Sequence, residues 1–181
     1  MKNIYLVGLI LLTTFFVACE NSNTVQNSTN NLQDQNTSAK TRSSKDPAEK
    51  YIKIKSENGF DETYLLLKKA IESKEPLTIV AELDHSANAK KAGMELPPTK
   101  IIMFGNPKLG TPLMKANQEI GIDLPQKMLV YKDGNGDVFV VYNDPKDLAE
   151  NHGIKDQDEI TAKISEALKG LAEIATKKGV E

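Results

Sequence analysis

KMLVYKDGNGDVFVVY, residues 127–142, is the stretch that decides the fold. Lys127–Tyr131 and Val138–Tyr142 are rich in β-branched and aromatic residues. Between them stands Asp133-Gly134-Asn135-Gly136, residue types that accept the positive φ a tight reversal needs. The stretch predicts a hairpin, so this part of the chain belongs to an antiparallel sheet.

Working outward, Tyr51-Ile52-Lys53-Ile54-Lys55 alternates polar and apolar, as a half-buried strand does. Leu77–Leu83 and Lys100–Phe104 read as two further strands. Between the strands the period changes. Asp61 is placed to cap a helix running to Ser73, with Tyr64, Leu67, Lys68 and Ile71 at helical spacing. Ser86–Ala92 reads as a short helix ended by Gly93, and Thr111–Ile120 as a helix stopped by Gly121, with Pro112 in its first turn. Pro145–Asn151 is a short helix opened by proline. Asp158–Lys178 is a longer one with Ile160, Ile164, Ala167, Leu168, Leu171 and Ile174 on one face. This order predicts an α+β fold, a two-layer α/β sandwich of about five strands with helices packed on one face.

The domain occupies residues 46–181 of a chain of 181. What precedes it has another purpose. Lys2 is followed by an apolar run, Ile4–Ala18, shorter than the ~20 residues a membrane span requires. The run ends in Phe16-Val17-Ala18-Cys19, which resembles a lipoprotein cleavage site, so residues 1–18 read as a signal peptide and Cys19 as the acylated residue. Cys19 is the only cysteine, so no internal disulfide is available. Residues 19–45 are dominated by Asn, Ser, Thr and Gln. They cannot bury enough apolar surface to offset chain entropy, and so they read as a disordered tether. The expectation is an exported protein held in a bacterial cell envelope by lipid on Cys19, with inner or outer membrane left open. The formal net charge of −2 and the absence of a basic patch argue against a nucleic-acid partner.

Several local patterns invite a chemical reading. Gly105-x4-Gly110-Thr111 follows a strand and precedes a helix, like a phosphate loop. It lacks the lysine after the second glycine, and Pro107 removes one amide from the cradle. Free amides at that helix start would still suit a small anion. Asp133-x-Asn135-x-Asp137 with Asp144 imitates a calcium loop, but Val138 stands where the loop needs glycine, so a solvated turn fits better. His85 lies at the end of a strand beside Asp84 and near Glu82, and His152 lies at the end of a helix. Imidazole serves as a general base and as a metal or haem ligand, and strand ends are where loops assemble sites. Each histidine could equally cap a carbonyl or carboxylate. Asn106, Asn143 and Asp144 stand before or beside prolines, where such side chains bond nearby amides.

Longer segments resemble a known family. Glu82-Leu83-Asp84-His85 with Ala89, Gly93 and Leu96-Pro97-Pro98-Thr99 is similar to the DUF302 family. So are the run from Phe104-Gly105-Asn106-Pro107 through Met114, Asp123-Leu124-Pro125-Gln126-Lys127, Tyr142-Asn143-Asp144-Pro145, Leu148 and Asn151-His152-Gly153. Asn151-His152 stands where an Arg-His pair is common in the family. The resemblance spans about Tyr51 to Ile154. It implies a compact α/β domain, often dimeric, and no particular reaction.

Together these readings favour a tethered, non-enzymatic domain that binds a small ligand, metal ion or haem near His85 and His152. The ligand candidates are Asp84, His85, Asn106, Thr111, Asn143, Asp144 and His152, with His85 and His152 as the metal ligands. Two alternatives stay open. One is an enzyme using His85 with Asp84 or Glu82 as an acid/base pair. The other is an envelope interaction or dimerisation module.

Overall fold

The computed structural model describes residues 51–178. The signal peptide, Cys19 and the tether lie outside the described residues. Five strands form one sheet in the order β1-β5-β4-β3-β2, where β1 is Tyr51–Lys55, β2 Thr78–Asp84, β3 Thr99–Gly105, β4 Gln126–Lys132 and β5 Val138–Asn143. Every neighbouring pair is antiparallel. The hairpin of β4 and β5 places β4 at the centre, with Met128 opposite Tyr142 and Val130 opposite Val140. Asp133 Oδ1 accepts from the amides of Asn135 and Asp137 at 2.9 Å each, so the calcium-like sequence is a self-bonded turn.

Period-two alternation sends Ile102, Phe104, Met128, Val130, Val140 and Tyr142 to one face. There they meet α1 (Phe60–Glu72) and α5 (Asp158–Thr176) through Leu67, Ile71, Leu168 and Leu171. Among the described residues the core runs from Ile52 to Ala175, inside a unit spanning Ser43–Glu181, so a fragment of that extent carries this core. One polar knot ties β1 to α5. Thr63 and Ser56 bond at 2.7 Å, and the Asn58 amide donates to the carbonyls of Ala175 (3.2 Å) and Lys177 (3.1 Å), which the end of α5 would otherwise leave open.

Three expectations need correction. Helix α1 starts at Phe60 with Gly59 as its cap, and Asp61 sits inside the first turn, where its charge meets the positive end of the helix. Helix α3 is Pro107–Ala116, four residues earlier than the sequence suggested. Asn106 accepts the Lys108 amide at 2.9 Å and Pro107 takes the first helical position, where a missing amide costs nothing. Pro112 is therefore interior, and it is Asn117 in extended geometry that ends the helix. A 3-10 turn, Gln118–Ile122, follows and contains Gly121. In α5 the inward stripe is Ile164, Leu168, Leu171 and Ala175, while Ile174 is 48% exposed. A spacing of ten residues turns a helix about 80° away from its starting face. Of the remaining short helices, α2 (His85–Lys91) is followed as expected by Gly93 and α4 (Pro145–Asn151) opens as expected on proline and is followed by Gly153; both glycines have positive φ.

Candidate functional site

The sheet has two unlike ends. At one end Asp84 pairs with Lys100 and Thr99 with Tyr131. At the other, Thr78 pairs with Gly105 and Phe104 with Gln126. A seven-residue strand separates them, a run of roughly 20 Å at the usual rise. His85 opens α2 at the first end. His152 caps α4 and bonds through Nε2 to Asp123 Oδ2 at 2.7 Å, just ahead of β4, at the second. The expectation that His85 and His152 share one cleft therefore fails. Among the described residues no group of three or more His, Cys, Asp or Glu side chains is placed to hold a metal ion.

The first end is charged and internally satisfied. Asp84 caps α2, accepting from the Ala87 amide at 2.8 Å and from Ser86 Oγ at 2.6 Å, and the Ser86 hydroxyl is the main cause of its lowered pKa. Glu82 accepts from Lys68 Nζ at 2.6 Å and Tyr64 Oη at 2.7 Å. Those bonds, Lys68 foremost, hold its carboxyl below the usual range. The Tyr64 phenol is pushed up, first by burial and then by Glu82. Lys100 lies 3.7 Å from Asp84 and 5.4 Å from the centre of the Tyr64 ring. Neither carboxylate bonds His85, whose ring has no hydrogen bond among the described residues. The acid/base pair proposed from sequence is not assembled, because each carboxylate has a different structural partner.

The second end holds a cavity of about 480 Å³. Buried Phe104 lines it together with Leu109, Leu124, Ile164 and Leu168, and it reaches the surface at exposed residues that include Met114 and, on the edge strand, Thr78 and Val80. Local sequence makes the space. Gly105, Gly110 and Gly121 line it without side chains; a Cβ on them would meet Pro125 at 3.5 Å, Leu124 at 3.7 Å and Met114 at 3.6 Å. A β-bulge between Ile79 and Ala81 sets Val80 outward at the mouth, 64% exposed.

Of the sequence candidates, only Asn106 and Thr111 line this cavity. Asp144 caps α4, accepting the Lys146 amide at 2.9 Å, and Asn143 pairs with Tyr51 at the end of β5. The anion cradle expected at the start of α3 is absent. The Lys108 amide is taken by the Asn106 side chain, and those of Leu109 and Gly110 bond the Asn106 carbonyl at 2.9 and 3.0 Å. The sequence reading missed Leu77, Thr78, Val80, Leu124, Gln126 and Ala167. The signal that could have found them is the glycine set 105, 110 and 121, where side-chain volume is withheld at the end of β3, within α3 and in the 3-10 turn that follows.

Fold and site define the class: a single antiparallel sheet with helices on one face and an apolar cavity at one end. The family model described as "Domain of unknown function DUF302" matches residues 52–171, and the chain belongs to that family. The crystal structure of the uncharacterized conserved protein DUF302 from Bacillus stearothermophilus superposes with a TM-score of 0.63 at 20% identity, covering 70% of this chain and 98% of that one. At that identity the likeness establishes the fold. Among curated proteins, Fluoride-specific ion channel FluC 1 of Brucella suis is 46% identical over 78 residues, 43% of this chain and 31% of the channel. FluC 1 of Brucella abortus and FluC 2 of Brucella melitensis match equally over 29% of their length. This chain thus spans less than a third of the curated relatives it matches. No helix among the described residues is long and apolar enough to cross a membrane.

Proposed function

We propose that this DUF302 domain is a non-catalytic binding module that takes a small molecule into the cavity between Thr78, Asn106, Leu124 and Ala167. The cavity carries the reading. Its 480 Å³ lies in the range of small-molecule sites, apolar walls with a few polar groups are their usual make-up, and strand ends beneath helices are where they form. Metal and haem lose their support together with the histidine pair. The site moves from His85 to the opposite end of the sheet.

The test is native mass spectrometry of the gently purified fragment Ser43–Glu181, beside Ala167→Trp and His85→Ala. Ala167 is half-buried on the cavity wall, so an indole there fills the space. The chain has no tryptophan of its own, so the new fluorescence reports whether the indole is buried. Extra mass retained by His85→Ala and reduced at least about tenfold in Ala167→Trp is expected. Loss in His85→Ala with retention in Ala167→Trp would return the site to the histidine.

The module is exported and held at a membrane by lipid on Cys19. This rests on the Phe16-Val17-Ala18-Cys19 sequence, and the match to proteins named as ion channels is in keeping with a membrane setting. Expressed whole in a bacterium, the chain is expected in the membrane fraction with a diacylglyceryl mass on Cys19, a mass that Cys19→Ser lacks. An unmodified Cys19 sinks the tether.

A second reading, self-association, is favoured by one feature. Leu83, Ile101, Leu129 and Val141 align in register across four strands, one residue out of phase with the core-facing row, so they lie on the face away from the helices. Sedimentation of the fragment should give a dimer that Leu129→Glu dissociates. A monomeric wild type ends this reading.

A further inference from the structure

We infer that the cavity selects an uncharged amphiphile, such as a long-chain alcohol or monoacylglycerol, and discriminates against the fatty-acid anion of the same length. The inference rests on the cavity reading above and adds the chemical class of ligand. No residue lining the cavity is charged. A carboxylate head seated on this wall would give up part of its hydration with no cation to replace it, a cost that an uncharged head avoids. The start of α3 offers no substitute, since Pro107 has no amide and those of Lys108, Leu109 and Gly110 are bonded within the helix cap.

The wall does offer uncharged hydrogen-bonding groups. Thr78, Asn106, Thr111 and Gln126 all line the cavity. The side chains of Thr78, Thr111 and Gln126 have no partner among the described residues, and Asn106 commits its Oδ1 to the cap while its amide nitrogen remains available. Thr78 is exposed at the mouth, and the leucines, Phe104 and Ile164 lie deeper. A hydroxyl or ester head meets the polar groups while its chain meets the apolar wall.

The experiment is displacement of the neutral fluorophore N-phenyl-1-naphthylamine from Ser43–Glu181 at about pH 8, where a fatty acid is ionised. The competitors are 1-dodecanol and dodecanoate, equal in chain length and different in charge. Expected is displacement by dodecanol at least about tenfold more effective than by dodecanoate, with probe binding lost in Ala167→Trp. Thr78→Trp, at the exposed mouth, gives a second blocked variant should the first fold poorly. Equal or stronger displacement by dodecanoate, with binding still lost in both variants, overturns the neutral-ligand inference and leaves the cavity reading standing. Probe binding undiminished in both folded variants places the probe elsewhere and overturns both.

Discussion

The two ends of the sheet spend their residues differently. The β2–α2 end collects Asp84, Glu82, Lys68, Lys100 and Tyr64, and every charge there meets a partner from another element. The β3–α3 end collects glycines and apolar side chains and leaves space between them. Reactive residue types look functional in a sequence, yet in this domain they fasten α1 and α2 to the sheet. The binding capacity lies where side chains are small, at Gly105, Gly110 and Gly121. A charged network that is fully paired within itself resists change and offers nothing to a ligand.

The sharpest way to break this contrast is His152, an ionisable group that supports the cavity end. Its ring is 14% exposed and bonds Asp123 at 2.7 Å, and its carbonyl accepts from the Asn117 amide at 2.9 Å. Asp123 directly precedes Leu124 and Pro125, both in the cavity wall. His152→Ala should cost about 1–2 kcal/mol, the typical loss for a partly buried bond to a charged group, and weaken probe binding several-fold by loosening that wall. Denaturant unfolding and probe titration measure the two effects. His85→Ala serves as the comparison, with stability within about 0.5 kcal/mol of wild type because its ring has no hydrogen bond among the described residues. Equal effects from the two histidines would erase the distinction between the ends.

Much of the fold is legible in the sequence. The hairpin, the strands and the glycine-ended short helices follow from period and turn chemistry, because both act over a few neighbouring residues. Helix α3 is less legible because prolines at 107 and 112 read as breakers, while only the Asn106 cap shows where the helix begins. The candidate site is least legible. Asn106 caps α3 and Thr111 lies within it, both on one wall, but Thr78, Leu124 and Ala167 come from three distant segments that meet only through strand pairing and the packing of α5. Hydrogen-bond partners are hidden for the same reason. Glu82 is close to His85 in sequence, yet it is claimed by Tyr64 and Lys68 on α1.

The smallest effect tests the charged end itself. Glu82 has its carboxyl held down chiefly by the hydrogen bond from Lys68 and then by that from Tyr64, so the folded state favours the ionised form more than the unfolded chain does. A depressed carboxyl contributes stability that is present above the ordinary glutamate value, about 4.3, and lost as pH falls through the lower folded value. Glu82→Gln should therefore melt below wild type at neutral pH, and the gap should close on acidification below about pH 4. The Lys68 and Glu82 side chains are 34% and 35% exposed, so water screens the pair and the gap should be smaller than that for His152→Ala. Added salt should narrow it further, as for any exposed ion pair. Thermal melts of both proteins from pH 3 to pH 8 make the comparison. A gap that persists unchanged into acid would show that charge at Glu82 is not what fastens α1 to β2, and the sheet's two ends would no longer differ in kind.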